Sequence, residues 1–124
     1  MNVFDSSALL SFLRGETGAD TVERELETGG FCSAANWSEV AQKVIAAGSD
    51  WNLAAGVLLS YPLEVEPVLR QDAEDAAARW RRGSGLSLAD RLCLATASRL
   101  GATVWTADAA WGSDRSIRQI AERG

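Results

Sequence analysis

The stretch Ser87-Leu88-Ala89-Asp90-Arg91-Leu92-Cys93-Leu94-Ala95-Thr96-Ala97-Ser98-Arg99-Leu100-Gly101-Ala102-Thr103-Val104-Trp105-Thr106-Ala107-Asp108 reads as a helix, a stop and a strand. Ser87 is a good N-cap, and Asp90 stands where a capping-box acid bonds back to the cap. The helix runs from Leu88 to Leu100, with Asp90, Cys93, Leu94 and Ala97 along one stripe. Gly101 ends it. Ala102 to Thr106 is a strand that leads to Asp108.

The same alternation recurs outward from this stretch. Asn2-Val3-Phe4 is a short apolar run ending at Asp5, and the helical segment Ser6 to Leu13 follows it. Ala19 to Thr28 is an amphipathic helix with Val22 and Leu26 at i, i+4, stopped by Gly29-Gly30. Phe31 to Ala35 reads as a buried strand. Asn36 is the expected N-cap of a helix from Trp37 to Ala47, closed by Gly48. Asp50 caps a further helix, Trp51 to Ser60. Leu63 to Val68 alternates at period two with Pro67 near its end. Asp72 to Arg82 is Ala-rich and helical, Gly83-Ser84-Gly85 is a break, and Ile117 to Ala121 is read as a last strand. Strands separated repeatedly by helices predict an α/β fold, a central parallel sheet of four to five strands flanked by helices. With no linker or internal repeat, residues 1–124 read as a single domain.

Composition restricts the chemistry. The chain of 124 residues contains no histidine, so imidazole is absent as base, nucleophile partner or metal ligand. Cys32 and Cys93 stand far apart in apolar surroundings and read as buried free thiols, with no zinc or redox motif. No apolar run is long enough to span a bilayer and no signal peptide opens the chain, so a cytoplasmic protein is expected. The net charge is -5, with Lys43 the lone lysine. Such a chain does not adhere to nucleic acid indiscriminately; arginines near a site or a bound metal would have to supply positive charge.

What remains is carboxylate chemistry. Asp5, Glu39, Asp90 and Asp108 each sit where an apolar or small-residue run gives way to a helix start. In a parallel sheet all strand C-termini open on one edge, where ligands bind, so topology brings the four together. Carboxylates gathered without histidine or thiolate suit a hard cation such as Mg²⁺ or Mn²⁺. Each acid also has a structural reading. Asp5 can cap the helix at Ser6; Asn36-x-x-Glu39 and Ser87-x-x-Asp90 resemble capping boxes; Glu39 can pair with Lys43; Asp108 can close a turn. Two features favour the set: Asp90 shares its stripe with apolar residues, and Asp5 ends an apolar run, where a merely solvated acid has little reason to appear.

Other constellations are missing. No second aspartate stands two residues after Asp5, as in a haloacid-dehalogenase-type phosphatase, and a response-regulator receiver needs a late lysine where Lys43 is early. No Gly-rich phosphate loop is present. Arg79, Arg81 and Arg82 beside Trp80 read either as a basic, aromatic rim for single-stranded nucleic acid or simply as cations at a helix C-terminus.

These segments together resemble a PIN-domain ribonuclease of the VapC toxin type. The opening signature is matched by Val3-Phe4-Asp5-Ser6-Ser7-Ala8-Leu9-Leu10, and the second motif by Asn36-Trp37-Ser38-Glu39-Val40. The third and fourth are Leu86 to Ala97 and Val104 to Trp111. The resemblance covers nearly the whole chain, in order and spacing. The region after Trp111 departs from it: the terminal strand is less apolar than is usual, and Asp114 is the candidate for a further acid there. The resemblance implies an Mg²⁺- or Mn²⁺-dependent endoribonuclease that slows translation by cutting RNA and is held in check by a cognate antitoxin. Asp5, Asp90 and Asp108 would hold the cation, Glu39 would reach it or its water, and the hydroxyls of Ser7 and Thr106 would orient carboxylates. It further implies a homodimer and a groove for the antitoxin, for which Trp37, Trp51, Leu9, Phe12 and Leu13 offer apolar surface. A non-catalytic PIN-like module that binds RNA or protein, and a metal-dependent phosphatase, are the alternative classes.

Overall fold

Strand β1 (Asn2–Phe4) is three residues long and buried throughout, as a strand covered by helices on both faces must be. In the computed structural model, which describes residues 1–121, it is the middle of the sheet. Beside it lie β2 (Gly30–Ser33) and β3 (Leu63–Glu66) on one side, and β4 (Thr103–Thr106) and β5 (Ile117–Gln119) on the other. The order is β3-β2-β1-β4-β5 and every pairing is parallel. The expected sheet is therefore present with five strands. Because the chain winds first one way from β1 and then the other, the topological switch falls between β1 and β4.

Side-chain alternation on β1 divides the core. Phe4 packs with Leu9, Val22, Leu26, Val40 and Leu58, from α1 (Ser6–Arg14), α2 (Ala19–Thr28), α3 (Ala34–Ala46) and α4 (Trp51–Leu59). Val3 points the other way, to Cys93 and Ala97 of α6 (Leu88–Leu100), Val104 and Trp111. Each large side chain buried this fully contributes roughly 1.5–3 kcal/mol. Both cysteines are free and buried, as expected. Close packing of β1 on β2 requires Gly30, because a Cβ there would lie 2.5 Å from the Asn2 carbonyl oxygen.

The helix from Leu88 to Leu100 has the predicted bounds, with Ser87 at its N-cap and Gly101 in the left-handed region at its end. Several boundaries differ from the sequence reading, three of them for identifiable reasons. Strand β2 stops at Ser33, whose Oγ accepts the Ala35 N–H (3.3 Å), so α3 begins at Ala34 and Asn36 lies inside its first turn rather than at the cap. Ala34 and Ala35 are strong helix formers, and with a serine before them they extend the helix backwards. The Ala-rich helix α5 spans Arg70–Ala78, not Asp72 to Arg82, because Asp72 Oδ2 accepts the Leu69 N–H (3.0 Å) one turn earlier. Strand β3 ends before Pro67, which has no N–H to donate. The tail pairs with β4 through Ile117–Gln119, as expected of a strand. Trp37 and Trp51 meet edge to face at 5.1 Å, Leu9 is fully buried, and Phe12 and Leu13 are partly buried. Much of the apolar surface expected for partners is thus core. Among the described residues no helix is long and apolar enough to cross a membrane.

The fold also contains a buried acid with a conventional counter-ion. Asp72, 1% exposed, receives Arg99 Nε (2.8 Å) and Nη2 (3.0 Å), and Glu66 receives Arg99 Nη1 (3.1 Å). The Arg99 hydrogen bonds hold the Asp72 carboxyl below its ordinary pKa. Removing the guanidinium strands a buried charge, so Arg99→Met is expected to cost on the order of 3 kcal/mol in denaturant unfolding. Adding Asp72→Asn to that variant is expected to recover part of the loss; equal stability of the single and double variants would contradict this account of the pair.

Candidate carboxylate site

Asp5 follows β1 directly and N-caps α1, so the structural reading of this residue holds: its Oδ1 accepts the Ala8 N–H at 2.8 Å. Capping is not all it does. Ser7 Oγ donates to Oδ1 (2.7 Å) and Thr106 Oγ1, from the end of β4, donates to Oδ2 (2.5 Å). The same two hydroxyls accept backbone N–H groups from the strand that carries Asp108. Ser7 Oγ takes Ala107 N–H (2.8 Å), and Thr106 Oγ1 takes Asp108 N–H (3.0 Å). Each hydroxyl spends its proton on Asp5 and its lone pair on the β4 loop, which fixes the two strand ends across the switch point. Asp5 is 2% exposed, yet among the described residues no cation is paired with it. Burial pushes its pKa up to about 6; the three hydrogen bonds pull it down and the neighbouring Asp90 charge adds to the rise.

Glu39, in the first turns of α3, is held at Oε1 by Ser6 Oγ (2.9 Å) and Asn36 Nδ2 (2.9 Å). The capping-box reading of Asn36-x-x-Glu39 is thereby corrected to a side-chain pair within the helix, and Ser6, not Lys43, is the other partner. Asn36 is fully buried and its Nδ2 also lies 3.5 Å from the Ala89 carbonyl, joining α3 to the first turn of α6. Its Oδ1 has no hydrogen-bond partner among the described residues. Asp90 forms the predicted capping box: Oδ2 accepts the Ser87 N–H (2.9 Å) while Ser87 Oγ accepts the Asp90 N–H (3.1 Å). It is half-buried, and burial raises its pKa, with the Glu39 and Asp108 charges contributing. Asp108 is exposed and caps the 3-10 turn Ala109–Trp111 through Oδ1 and the Ala110 N–H (2.9 Å). Asp114 does not join this group: its Oδ1 takes the Ser116 N–H and hydroxyl and the Ile117 N–H of its own loop, and the Ser116 bonds lower its pKa.

The four predicted acids thus come from the starts of α1, α3 and α6 and from the end of β4, all on the sheet's C-terminal edge. They act on one another electrostatically, Asp90 on Asp5, and Glu39 and Asp108 on Asp90. Among the described residues none is ion-paired. Among them, too, no three acid or thiol side chains stand close enough to hold one ion as a closed set. The donor chemistry nevertheless suits a hard cation. Hydrogen bonds anchor one oxygen of Glu39, Asp90 and Asp108, while Glu39 Oε2, Asp90 Oδ1 and Asp108 Oδ2 accept none among the described residues. All-oxygen donors carrying uncompensated negative charge fit Mg²⁺ or Mn²⁺.

Two functional contacts were missed in the sequence. Ser6 adjoins the Asp5 motif but reaches Glu39, 33 positions away. Gln119 Nε2 donates to the Asp108 carbonyl (2.9 Å) and the Gly112 carbonyl (2.8 Å), bracing the turn that carries Asp108. A serine one place after a helix cap was the only available signal for the first. For the second there was none.

The family model for the PIN domain matches residues 3–113. No curated protein matches the chain. Among solved structures, the fold is similar to a toxin–antitoxin complex from Klebsiella pneumoniae, with TM-score 0.75 at 20% identity, covering 99% of this chain and 100% of that one. It is also similar to Mycobacterium tuberculosis VapC20, a sarcin–ricin loop cleaving toxin, with TM-score 0.71 at 19% identity over 92% of this chain and 97% of that one.

The buried Asp5 has a pH signature. Its folded pKa of about 6 lies above the ordinary carboxyl value of 3.8. The folded state therefore favours the protonated acid. Its stabilising contribution is complete below about pH 4 and is lost as pH rises through about 6, a change of up to ~3 kcal/mol. In chelator, the melting temperature of Asp5→Asn is expected to gain on that of the wild type as pH goes from 4 to 7. A difference between the two that does not vary with pH would contradict the assignment.

Proposed function

The chain belongs to the PIN-domain family, and from that premise we propose that it is an Mg²⁺- or Mn²⁺-dependent endoribonuclease, a VapC-type toxin that cuts RNA and is neutralised by a cognate antitoxin. Residues 1–124 would form one such domain, working in the cytoplasm as a homodimer. The observation that carries the reading is Asp5, a buried acid given hydroxyl and amide donors but, among the described residues, no cation. This same fold supplies an arginine to Asp72, which is likewise covered from solvent though less deeply set. An uncompensated carboxylate at the switch point, with three more acids around it, is an arrangement that costs stability unless a ligand repays it.

In this reading Asp5, Asp90 and Asp108 hold the cation, and Ser7 and Thr106 keep the Asp5 carboxylate aimed. When bound, the cation supplies a water of lowered pKa and positive charge for the phosphate oxygens. Glu39, anchored at Oε1 by Ser6 and Asn36, would have Oε2 free to accept a proton or hydrogen bond from an attacking water. The solved toxin–antitoxin structure of similar fold supports a protein partner, and the similar loop-cleaving toxin supports an RNA substrate. An apolar groove between α1, α3 and α4, floored by Leu10, Leu13 and Val44 and flanked by the exposed Leu53 and Val57, suits an amphipathic antitoxin helix. A non-catalytic RNA- or protein-binding module is the second reading, favoured by the lack, among the described residues, of three acids at single-ion spacing.

Cleavage of a structured RNA is expected, abolished by chelator and reduced at least ~10-fold in Asp5→Ala, Asp90→Ala and Asp108→Ala, with Glu39→Ala less affected. Mg²⁺ is expected to raise the melting temperature of the wild type and to do so less in Asp90→Asn, since a ligand of the folded state stabilises it. Wild-type cleavage by a folded Asp90→Ala protein would refute the proposal; chelator-insensitive RNA binding with no turnover would favour the non-catalytic module.

A further inference from the structure

The segment between α5 and α6 carries charge and aromatic surface that the carboxylate site does not use. Arg91, adjacent to Asp90, donates Nη1 to the Ala76 carbonyl (2.8 Å), so the C-terminal end of α5 rests on the first turn of α6. Trp80 is one turn further on, its N–H bonded to the Ala77 carbonyl at 3.1 Å. Arg81 Nη1 donates to the carbonyls of Ala78 (3.0 Å) and Trp80 (2.8 Å), which fixes the backbone beneath the indole. Trp80 is 53% exposed, and the Arg82 guanidinium lies 5.7 Å from its ring centroid.

The charges are informative because the chain is otherwise acidic, with net charge -5. Arg70, Arg79 and Arg99 are matched to acids. Among the described residues Arg81 and Arg82 meet none, which is also true of other surface cations such as Arg14 and Lys43. What sets these two apart is the exposed indole beside them. A helix C-terminus accounts for Arg81, which bonds the terminal carbonyls. It does not account for an exposed indole with a cation–π partner and unneutralised charge beside the turn that bears Asp90.

We propose that Trp80, Arg81 and Arg82 form a stacking platform for an unpaired nucleotide of an RNA strand lying across the carboxylate edge. The proposal rests on the ribonuclease reading above. An indole accepts any exposed base face, and the arginines meet the adjacent phosphates. A base inside a duplex offers no free face, so the platform selects single-stranded or loop segments. It also supplies positive charge where acids alone would repel RNA until a cation neutralised them.

The test is fluorescence anisotropy with a short labelled oligoadenylate, in chelator so that no cleavage occurs, together with KM for cleavage of a loop-containing RNA in Mg²⁺. Trp80→Ala is expected to weaken binding ~5-fold or more, as loss of one stacked base does. Trp80→Phe is expected to stay close to the wild type, and a duplex of equal length to be indifferent to both changes. Arg82→Ala is expected to lower the slope of log Kd against log salt by about 0.7. The Mg²⁺-induced rise in melting temperature should be the same in all these variants, which separates the platform from the carboxylates. Wild-type cleavage with Kd and KM unchanged in Trp80→Ala would overturn the platform alone. Trp80-dependent binding without any cleavage would keep the platform and overturn the nuclease reading. Absence of RNA binding, or equal binding of polyglutamate at the same residues, would overturn the platform.

Discussion

One buried carboxylate, without a counter-ion among the described residues, constrains the C-terminal edge of the sheet. Asp5 ends the central strand, caps the first helix and receives the hydroxyls of Ser7 and Thr106, yet no arginine or lysine among the described residues pairs with it. The two hydroxyls that serve it also hold the backbone of the β4 loop, so the ends of β1 and β4 are joined through the acid itself. Geometry at the switch point and electrostatics at the switch point are therefore the same problem.

The comparison with Asp72 shows that this is not how the fold treats acids in general. Asp72 and Asp5 are both covered from solvent, Asp5 far more deeply, and their pKa values move in opposite directions, Asp72 down with Arg99 against it and Asp5 up by burial. Depth and partner both contribute: Asp5 lies deep with no cation against it among the described residues, whereas Asp72 lies nearer the surface and is hydrogen-bonded to Arg99. Perturbed carboxyls cluster at functional sites because such sites need charge that is not already satisfied. Asp90 shows the same tendency more weakly, as a half-buried acid whose neighbours are also acids.

Much of this was legible in the chain, for identifiable reasons. The helix from Ser87 to Gly101 and the strand after it were readable because cap, periodicity and stop agreed with one another. The four acids were readable because parallel topology delivers helix starts and strand ends to one edge. The start of α3 was misplaced because both Ser33 and Asn36 are competent caps, and only the packing of Asn36 between Glu39 and Ala89 decides between them. The bracing of Asp108 by Gln119 and of Glu39 by Ser6 left no periodic trace, since contacts across strands and helices depend on tertiary placement. Arg81 bonding the last carbonyls of its helix follows the helix-C-terminus reading and the exposed Trp80–Arg82 pair fits the basic, aromatic rim; the pairing of Arg79 with Asp75 was not anticipated.

The central claim is that Asp5 is kept short of positive charge so that a divalent cation can supply it. The most direct measurement is the titration of the Asp5 side-chain carboxyl carbon by NMR, in chelator and again with saturating Mg²⁺. The account predicts a midpoint near pH 6 in chelator, displaced downward by at least about one unit when Mg²⁺ is present. A midpoint that is the same in both conditions would contradict it.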